Sequence, residues 1–213
     1  MSGPNLIVEH SLLERGGLVG GMDEVGRGAF GGPVCVGLCV VDSSVGAVPA
    51  GLKDSKLLTS VARDKLVKPV MEWALASAVG EASPAEIDDL GIVGALRLAG
   101  MRALEQVNVT PDFIILDGSH DWLTPPSSDL FTEVDSFSSE VTMKVKADLT
   151  CASVAGASVI AKVHRDTHMR HLESVYPGYG WSSHVGYGTA AHREAIAKLG
   201  LSPVHRKSWK LES

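Results

Sequence analysis

A chain of 213 residues with 45% hydrophobic and 21% charged side chains is long enough to bury a core, and its composition excludes disordered and fibrous proteins. No run of about 18 apolar residues is present, which excludes a transmembrane helix. The net charge of −6 is uneven, because residues 141–213 hold ten lysines and arginines against five acids. An acidic body with a basic C-terminal third suits a protein that binds cations and phosphates, although chance clustering explains it equally well.

Hydrophobic runs and turn residues predict strands and helices in mixed order. The predicted strands cover residues 18–23, 33–41, 73–81, 113–117 and 140–145, and the first two are joined by the glycine-dense turn GRGAFGG. The predicted helices cover residues 59–71, a short segment from 83, 92–107, 152–172 and 189–199. Capping residues support them, with Thr59 as an N-cap and Ser83 and Glu86 as a capping box. This order predicts an α/β domain around one sheet.

The linkers, the N-terminal residues and the cysteines indicate the domain organisation and the cellular compartment. No linker divides the chain, so we expect a single domain over residues 1–213 with a core over about 18–210. The first ten residues have neither the basic n-region nor the apolar h-region of an export signal. Cys35, Cys39 and Cys151 have no metal-ligand spacing and are interpreted as small buried residues in a reducing compartment. We expect a cytoplasmic protein with no membrane partner.

Acidic residues follow three of the predicted strands. Asp23 and Glu24 end the first strand, Asp117 ends the buried strand FIILD, and Asp148 lies just beyond the last strand. Because α/β sheets place their active sites at such strand ends, we expect these acids to meet at one edge of the sheet. Clustered carboxylates repel one another, and a hard divalent cation such as Mg²⁺ removes that cost. The alternative is that these acids face solvent or cap helices.

The predicted metal chemistry is hydrolysis of a phosphodiester. Two cations roughly 4 Å apart activate an attacking water and stabilise the leaving oxygen. Zinc is the weaker hypothesis, because the sequence shows no Cys/His ligand set. Side chains alternate along a strand, so Asp23 and Glu24 face one metal together only if the strand ends there. Otherwise Glu24 contributes its backbone carbonyl.

Further residues suit contacts with nucleic acid. Gly26–Gly28 is a GRG triplet, which either lets the backbone approach a phosphate or sugar or forms an ordinary turn. Tyr187 either stacks on a sugar or base or packs on the surface, and a ribose contact would distinguish RNA from DNA. Ser158, Lys162 and Arg165 form a stripe on one helix, in which the two cations either meet phosphates or form a solvated face.

Together, these segments resemble the bacterial type 2 ribonuclease H family, ribonuclease HII. The matching motifs are GMDEVGRG at 21–28, KDSK at 53–56, ILDG at 115–118, KAD at 146–148, ASVIAKVHRD at 157–166 and, in the C-terminal part, HVGYGTAAH and PVHRKSW. They occur in the family's order and spacing between Gly20 and Trp209. The chain departs from the family at Val25, at Thr150 and Cys151, and at Val185, which leaves some phosphate contacts open.

The resemblance implies a fold and an activity. The fold is ribonuclease H-like, with a five-stranded mixed β-sheet flanked by α-helices and a helical C-terminal part. The activity is endonucleolytic hydrolysis of the RNA strand in RNA–DNA hybrids, and cutting 5′ to ribonucleotides embedded in duplex DNA. The products carry 5′-phosphate and 3′-hydroxyl ends. A role in DNA replication and in repair by ribonucleotide excision follows, and we expect a monomer whose protein partners the sequence does not indicate.

The resemblance also assigns roles to residues. It implies that Asp23, Glu24, Asp117 and Asp148 are catalytic. The first three would bind Mg²⁺ or Mn²⁺, with two ions in the substrate complex, and Asp148 would bind metal or position the attacking water. Substrate contacts would come from the GRG triplet and several side chains, namely Gly26, Arg27, Gly28, Tyr187, Ser158, Lys162 and Lys56.

Two rival functions remain at this point. A protein that binds hybrid junctions without cutting them would explain the basic C-terminal third, but a metal-free acidic cluster would repel phosphate. A glycosidase with two carboxylates would need an aromatic-lined sugar cleft, whereas only 5% of the residues are aromatic.

Overall fold

One mixed sheet of five strands forms the centre of the computed structural model, which describes residues 3–125, 137–209 and 211. Its strands are β1 (Val19–Val25), β2 (Val34–Val41), β3 (Ala76–Ala82), β4 (Phe113–Asp117) and β5 (Glu140–Lys144). Their order across the sheet is β3-β2-β1-β4-β5. β2 is antiparallel to β1 and β3, whereas β4 is parallel to β1 and β5. The expected five-stranded mixed sheet is confirmed.

The helices flank this sheet and continue into the C-terminal part, as expected. In the described part of the chain they are α1 (Ile7–Leu13), α2 (Ser60–Trp73), α3 (Pro84–Glu105), α4 (Ala147–Thr150), α5 (Ala152–Val175), α6 (Trp181–His184) and α7 (Ala190–Leu199), with a 3₁₀ turn at Ser55–Leu57. Thr59 caps α2, and Ser83 and Glu86 form the predicted capping box of α3.

The predicted break between two helices is confirmed. α3 contains the short helix that begins after Ser83 and the helix that begins at residue 92, with one non-helical residue between them. Gly91 is this residue, with a φ of 68°, a value that glycine adopts without the steric cost of a side chain. The helices α1, α4 and α6 were not predicted, because each is at most seven residues long.

The two faces of the sheet are covered by different helices. α3 packs on one face, where Met22, Leu38 and Leu116 belong to its core. α5 packs on the other face and approaches the strand backbones closely. A Cβ on Gly21 would collide with Ser153 and Val154 of α5, and a Cβ on Gly37 would collide with the Ala157 carbonyl. The small residues in the first half of α5 therefore let this helix lie against β1 and β2.

The predicted burial of the cysteines is confirmed, since Cys35, Cys39 and Cys151 are buried and form no disulfide. Within the described ranges, no helix has the length and apolar character to cross a membrane. Residues 126–136 of the expected domain lie outside the described residues.

Candidate active site

Asp23 and Asp117 lie side by side at the ends of two parallel strands. Met22 on β1 pairs with Leu116 on β4, so the next residues on these strands are the two aspartates. Neighbouring strands are about 4.8 Å apart. Met22 and Leu116 point into the core beneath α3, and alternation along the strands therefore directs Asp23 and Asp117 towards α5. The fold brings these two predicted acids together.

Asp148 is joined to this pair through the backbone. The N–H of Ala147, the first residue of α4, donates a hydrogen bond of 2.7 Å to Asp117 Oδ1. Asp117 therefore anchors the start of α4, which agrees in part with the helix-capping alternative. Asp148 is 4% exposed, and its Oδ2 lies 3.4 Å from Lys56 Nζ. The structure thus places Asp148 beside a cation from the KDSK segment.

Glu24 occupies a different position from Asp23. β1 does not end at Asp23 but continues to Val25, paired with β2. Alternation therefore directs the side chains of Asp23 and Glu24 to opposite faces of the sheet. Glu24 Oε1 lies 3.2 Å from Arg27 Nη1. Both residues nevertheless line one cavity, and burial together with the charge of Asp117 raises the pKa of Glu24, so a contribution of Glu24 through its side chain or its backbone carbonyl remains open.

Burial makes these acids difficult to ionise. Asp23 is 5% exposed, and its burial, together with the nearby charges of Glu24 and Asp117, raises its pKa to about 7. A hydrogen bond with Ser158 and the charge of Lys56 act in the opposite direction. Burial also raises the pKa of Glu24 and of Asp148, and Asp117 adds to both shifts. A bound cation would favour the ionised forms of all of these groups.

The donor set fits Mg²⁺ or Mn²⁺ because it consists of carboxylate oxygens. These oxygens do not surround one point by themselves. Among the described residues, the only group of three whose Cys, His, Asp or Glu ligand atoms all lie within 4.8 Å of one another is Cys35 on β2, Glu81 on β3 and His164 on α5. Water or substrate oxygens would therefore complete the coordination shell of an ion at the acids, as is usual for Mg²⁺.

A cavity of about 420 Å³ lies beside Asp23 and Glu24. Every residue that the sequence analysis assigned to substrate contacts lines it, namely Gly26, Arg27, Gly28, Lys56, Ser158, Lys162 and Tyr187. Ser55, which the sequence analysis did not single out, lines it as well, and its Oγ is hydrogen-bonded to Ser158 Oγ at 2.8 Å. Asp117 and Asp148 are not part of this lining, so the cavity extends from the Asp23 side of the acids.

The predicted stripe on α5 divides into residues with different roles. Lys162 Nζ lies 2.7 Å from Asp166 Oδ1, and Lys162 also lines the cavity. Arg165 is fully buried and donates hydrogen bonds to the carbonyl oxygens of Gly31, Pro33 and Val185. The expectation that Arg165 meets phosphates or forms a solvated face is therefore wrong, because its donors are used within the protein.

A second buried arginine, Arg206, is hydrogen-bonded to the backbone of the GRG triplet. Arg206 is fully buried and donates to the carbonyl oxygens of Gly26, Arg27 and Gly32. Burial lowers its pKa to about 9, and the charge of Arg165 adds to this shift. The positive charges of Arg165 and Arg206 next to the turn would favour the binding of a phosphate to its other side. The sequence analysis missed Arg206, since no local pattern connects it to residues 26–32.

Tyr187 is partly exposed at the mouth of the cavity. Its side chain is 37% exposed, and its ring centroid lies 5.7 Å from the guanidinium carbon of Arg165. Its carbonyl oxygen contacts His192 Nδ1 at 3.0 Å, and its N–H donates to the His184 carbonyl at 2.9 Å. The backbone of Tyr187 is therefore fixed while part of its ring faces the cavity, which suits a stacking contact.

Comparisons with known proteins show the family to which the chain belongs. Residues 20–212 match the family model described as Ribonuclease HII. Ribonuclease HII of Streptomyces avermitilis is 43% identical over 208 residues, which is 97% of this chain and 83% of that protein. Ribonuclease HII of Thermus thermophilus is 44% identical over 207 residues, covering 95% of this chain and 91% of that protein. The crystal structure of ribonuclease H2 from Pyrococcus horikoshii superposes with a TM-score of 0.72 at 27% identity, covering 91% of this chain and 94% of that chain.

Proposed function

The chain belongs to the ribonuclease HII family and is a ribonuclease H-type endonuclease, and we propose that it cuts duplex DNA 5′ to embedded ribonucleotides and hydrolyses the RNA strand of RNA–DNA hybrids. The products would carry 5′-phosphate and 3′-hydroxyl ends. The observation that supports this most directly is that Asp23 and Asp117 directly follow the paired residues Met22 and Leu116, beside a cavity lined by every predicted substrate residue.

The proposed chemistry uses two divalent ions, Mg²⁺ or Mn²⁺. Asp23 and Asp117 would hold them, with Glu24 contributing a side-chain or backbone oxygen. When bound, the ions would lower the pKa of an attacking water and stabilise the leaving oxygen. Asp148, with Lys56 at 3.4 Å, would bind metal or orient the attacking water. No side chain needs to act as a covalent nucleophile.

Recognition of the ribonucleotide would come from other residues that line the cavity. Gly26 has a φ of 84°, and its carbonyl is held by Arg206, so the triplet presents a fixed backbone to the substrate. Backbone groups of the triplet and the ring of Tyr187 would contact the 2′-hydroxyl and the sugar, which distinguish RNA from DNA. Lys162 and Arg27 would contact phosphates, because both line the cavity and carry positive charge.

The biological role that follows is removal of ribonucleotides from DNA during replication and repair. We propose that the protein acts in the cytoplasm as a monomeric, single-domain enzyme.

The test is a cutting assay on duplex DNA that carries one ribonucleotide, with Mg²⁺. The parent protein should cut only 5′ to the ribonucleotide, and Asp117→Asn should abolish cutting while retaining binding. The asparagine oxygen can still accept the hydrogen bond from Ala147, so the local fold is preserved. Asp64→Asn is the matched control, because Asp64 is exposed on α2, and it should cut like the parent.

Two outcomes would contradict the proposal. Equal cutting by Asp117→Asn and the parent would remove the metal assignment. Binding of the ribonucleotide duplex by the parent without any cutting would instead favour a junction-binding protein.

A further inference from the structure

A second group of metal-ligand side chains lies outside the proposed active site, on the outer strands of the sheet. Cys35 on β2 pairs directly with Glu81 on β3. Glu81 Oε2 lies 3.2 Å from Nε2 of His164 and 3.8 Å from Nδ1 of His168, two residues one turn apart on α5. Cys35 Sγ lies 4.0 Å from the same oxygen. Three side chains, from β2 and α5, thus approach one carboxylate oxygen of Glu81 on β3.

Their spacing is close to that of a tetrahedral metal site. With zinc bonds of about 2.3 Å to sulfur and about 2.1 Å to nitrogen or oxygen, adjacent ligand atoms are about 3.4 to 3.6 Å apart. The measured separations of 3.2, 3.8 and 4.0 Å lie on both sides of these values. The ligand atoms of Cys35, Glu81 and His164 also lie within 4.8 Å of one another. His168 is not in that group, so its imidazole would have to rotate to reach an ion held by the other three side chains.

A surface ion pair does not explain the whole group. His164 and Glu81 are 45% and 42% exposed, and they would form an ordinary surface pair by themselves. Cys35, however, is fully buried and has its thiol directed at the same carboxylate. Burial and the charge of Glu81 raise the pKa of this thiol to about 12, so without a cation it stays protonated. A bound metal would give the thiol, the carboxylate and both imidazoles a common partner.

We propose that Cys35, Glu81, His164 and His168 bind a zinc ion. Sulfur and imidazole ligands together with one carboxylate favour Zn²⁺ over Mg²⁺ or Mn²⁺. Binding replaces the thiol proton with a zinc–sulfur bond and releases that proton to solvent. A cavity of about 450 Å³ lined by Glu81 and His164 gives the ion a route from solvent.

The site would tie the edge of the sheet to α5. Two of its ligands belong to the β2–β3 ladder and two belong to the helix, so the ion would cross-link layers that otherwise meet through packing. The ligands are far apart in the sequence, which is why the cysteine spacing gave no zinc motif. Under this proposal Cys35 would be a metal ligand as well as the small buried residue that the sequence predicts.

The experiment is an anaerobic titration of the metal-free protein with Co²⁺, followed by displacement with Zn²⁺. The parent should show one equivalent of cobalt with thiolate-to-cobalt charge-transfer absorption, which the oxygen ligands of the catalytic acids cannot produce. Cys35→Ala should lose this absorption, and His164→Ala should weaken zinc binding about tenfold or more. Cys39→Ala and His171→Ala are the matched controls, on the same strand and the same helix, and should behave like the parent.

Measurements of stability and of activity distinguish a failure of zinc binding from a failure of folding and from a failure of the proposed function. Zn²⁺ should raise the melting temperature of the parent and of Cys39→Ala, but not of Cys35→Ala. If Cys35→Ala does not fold, Glu81→Gln tests the same site from an exposed position and should also lose the zinc-dependent stabilisation. Cutting in Mg²⁺ should persist in Glu81→Gln. A parent protein without the thiolate band, or Cys35→Ala with the band retained, would overturn the proposal.

Discussion

Nη2 of Arg206 donates a hydrogen bond of 2.6 Å to the carbonyl oxygen of Gly26, a residue 180 positions earlier in the chain. The same guanidinium bonds the carbonyls of Arg27 and Gly32. The C-terminal segment therefore determines the conformation of the glycine-rich turn that we propose for ribose recognition. The turn is held at its carbonyl oxygens, which leaves its remaining surface available to the cavity.

Replacing Arg206 by lysine should damage stability and cutting together. A lysine ammonium cannot reproduce the fork of donors, so buried carbonyls lose partners, at about 1–3 kcal/mol each. We expect the free energy of unfolding to fall by about 3 kcal/mol, measured by urea denaturation, and cutting at a single ribonucleotide to decrease. Arg170→Lys, at an exposed position on α5, should change stability by less than about 0.5 kcal/mol. Unchanged stability in Arg206→Lys would show that the turn holds its shape without this residue.

Asp23→Asn should stabilise the metal-free protein while abolishing cutting. The folded pKa of Asp23 is about 7, above its ordinary value of 3.8, so this carboxyl favours folding at low pH and opposes it increasingly as the pH rises towards 7. Removing the charge should raise the free energy of unfolding at pH 8 by roughly 1–4 kcal/mol. The measurement is urea denaturation with a chelator present, with Asp64→Asn as the control. Equal or lower stability of Asp23→Asn would mean that the acids do not oppose folding.

The buried histidines near Tyr187 should lower the free energy of unfolding in acid. His192 Nε2 lies 3.1 Å from His205 Nε2, and both side chains are buried. Burial lowers the pKa of each to about 4, and the nearby His184 adds to the shift. Since the unfolded chain binds protons near pH 6.5, stability should be lost as the pH falls from about 6.5 to about 4.

His192→Gln tests this dependence. Each unit of pKa difference corresponds to about 1.4 kcal/mol, so the variant should lose less stability than the parent between pH 6.5 and pH 4.5. The measurement is the free energy of unfolding at several pH values. His171→Gln, at an exposed position, should keep the parent's slope. A parent protein whose stability is constant over this range would contradict the prediction.

Tyr187→Ala should reduce kcat/KM at a single embedded ribonucleotide by about tenfold, in the range found for loss of aromatic stacking on nucleic acid. Tyr187→Phe should retain most of the activity, because the ring remains. A loss in Tyr187→Phe equal to that in Tyr187→Ala would assign the effect to the hydroxyl group. Full activity in both variants would support the alternative that Tyr187 only packs on the surface.

The candidate acids could be predicted because they lie at or just beyond the ends of predicted strands, where acids from several strands are expected to meet. The sequence did not predict that Asp23 and Asp117 are neighbours on adjacent strands. This depends on the parallel register of β1 and β4, and local periodicity contains no information about pairing between distant strands. The same limit hid the pairing of Cys35 with Glu81.

Arg165 shows a second limit of sequence patterns. Its spacing from Lys162 places both on neighbouring parts of α5, but only the position of the glycine-rich turn decides which of them is buried. The break at Gly91, by contrast, could be predicted from local pattern, because the capping box at Ser83 and the apolar spacing from residue 92 mark two separate helices.

The absence of side chains at Gly21 and Gly37 has a mechanical consequence. Main-chain atoms of β1 and β2 rest directly on α5, so the separation of these two layers is set by atomic radii and not by adjustable rotamers. Ser158 is carried by α5 and is hydrogen-bonded to Asp23, so the position of this helix also determines the surroundings of the carboxylate. A methyl group on either glycine would force α5 away from the strands, and this would change the surroundings of the Asp23 carboxylate.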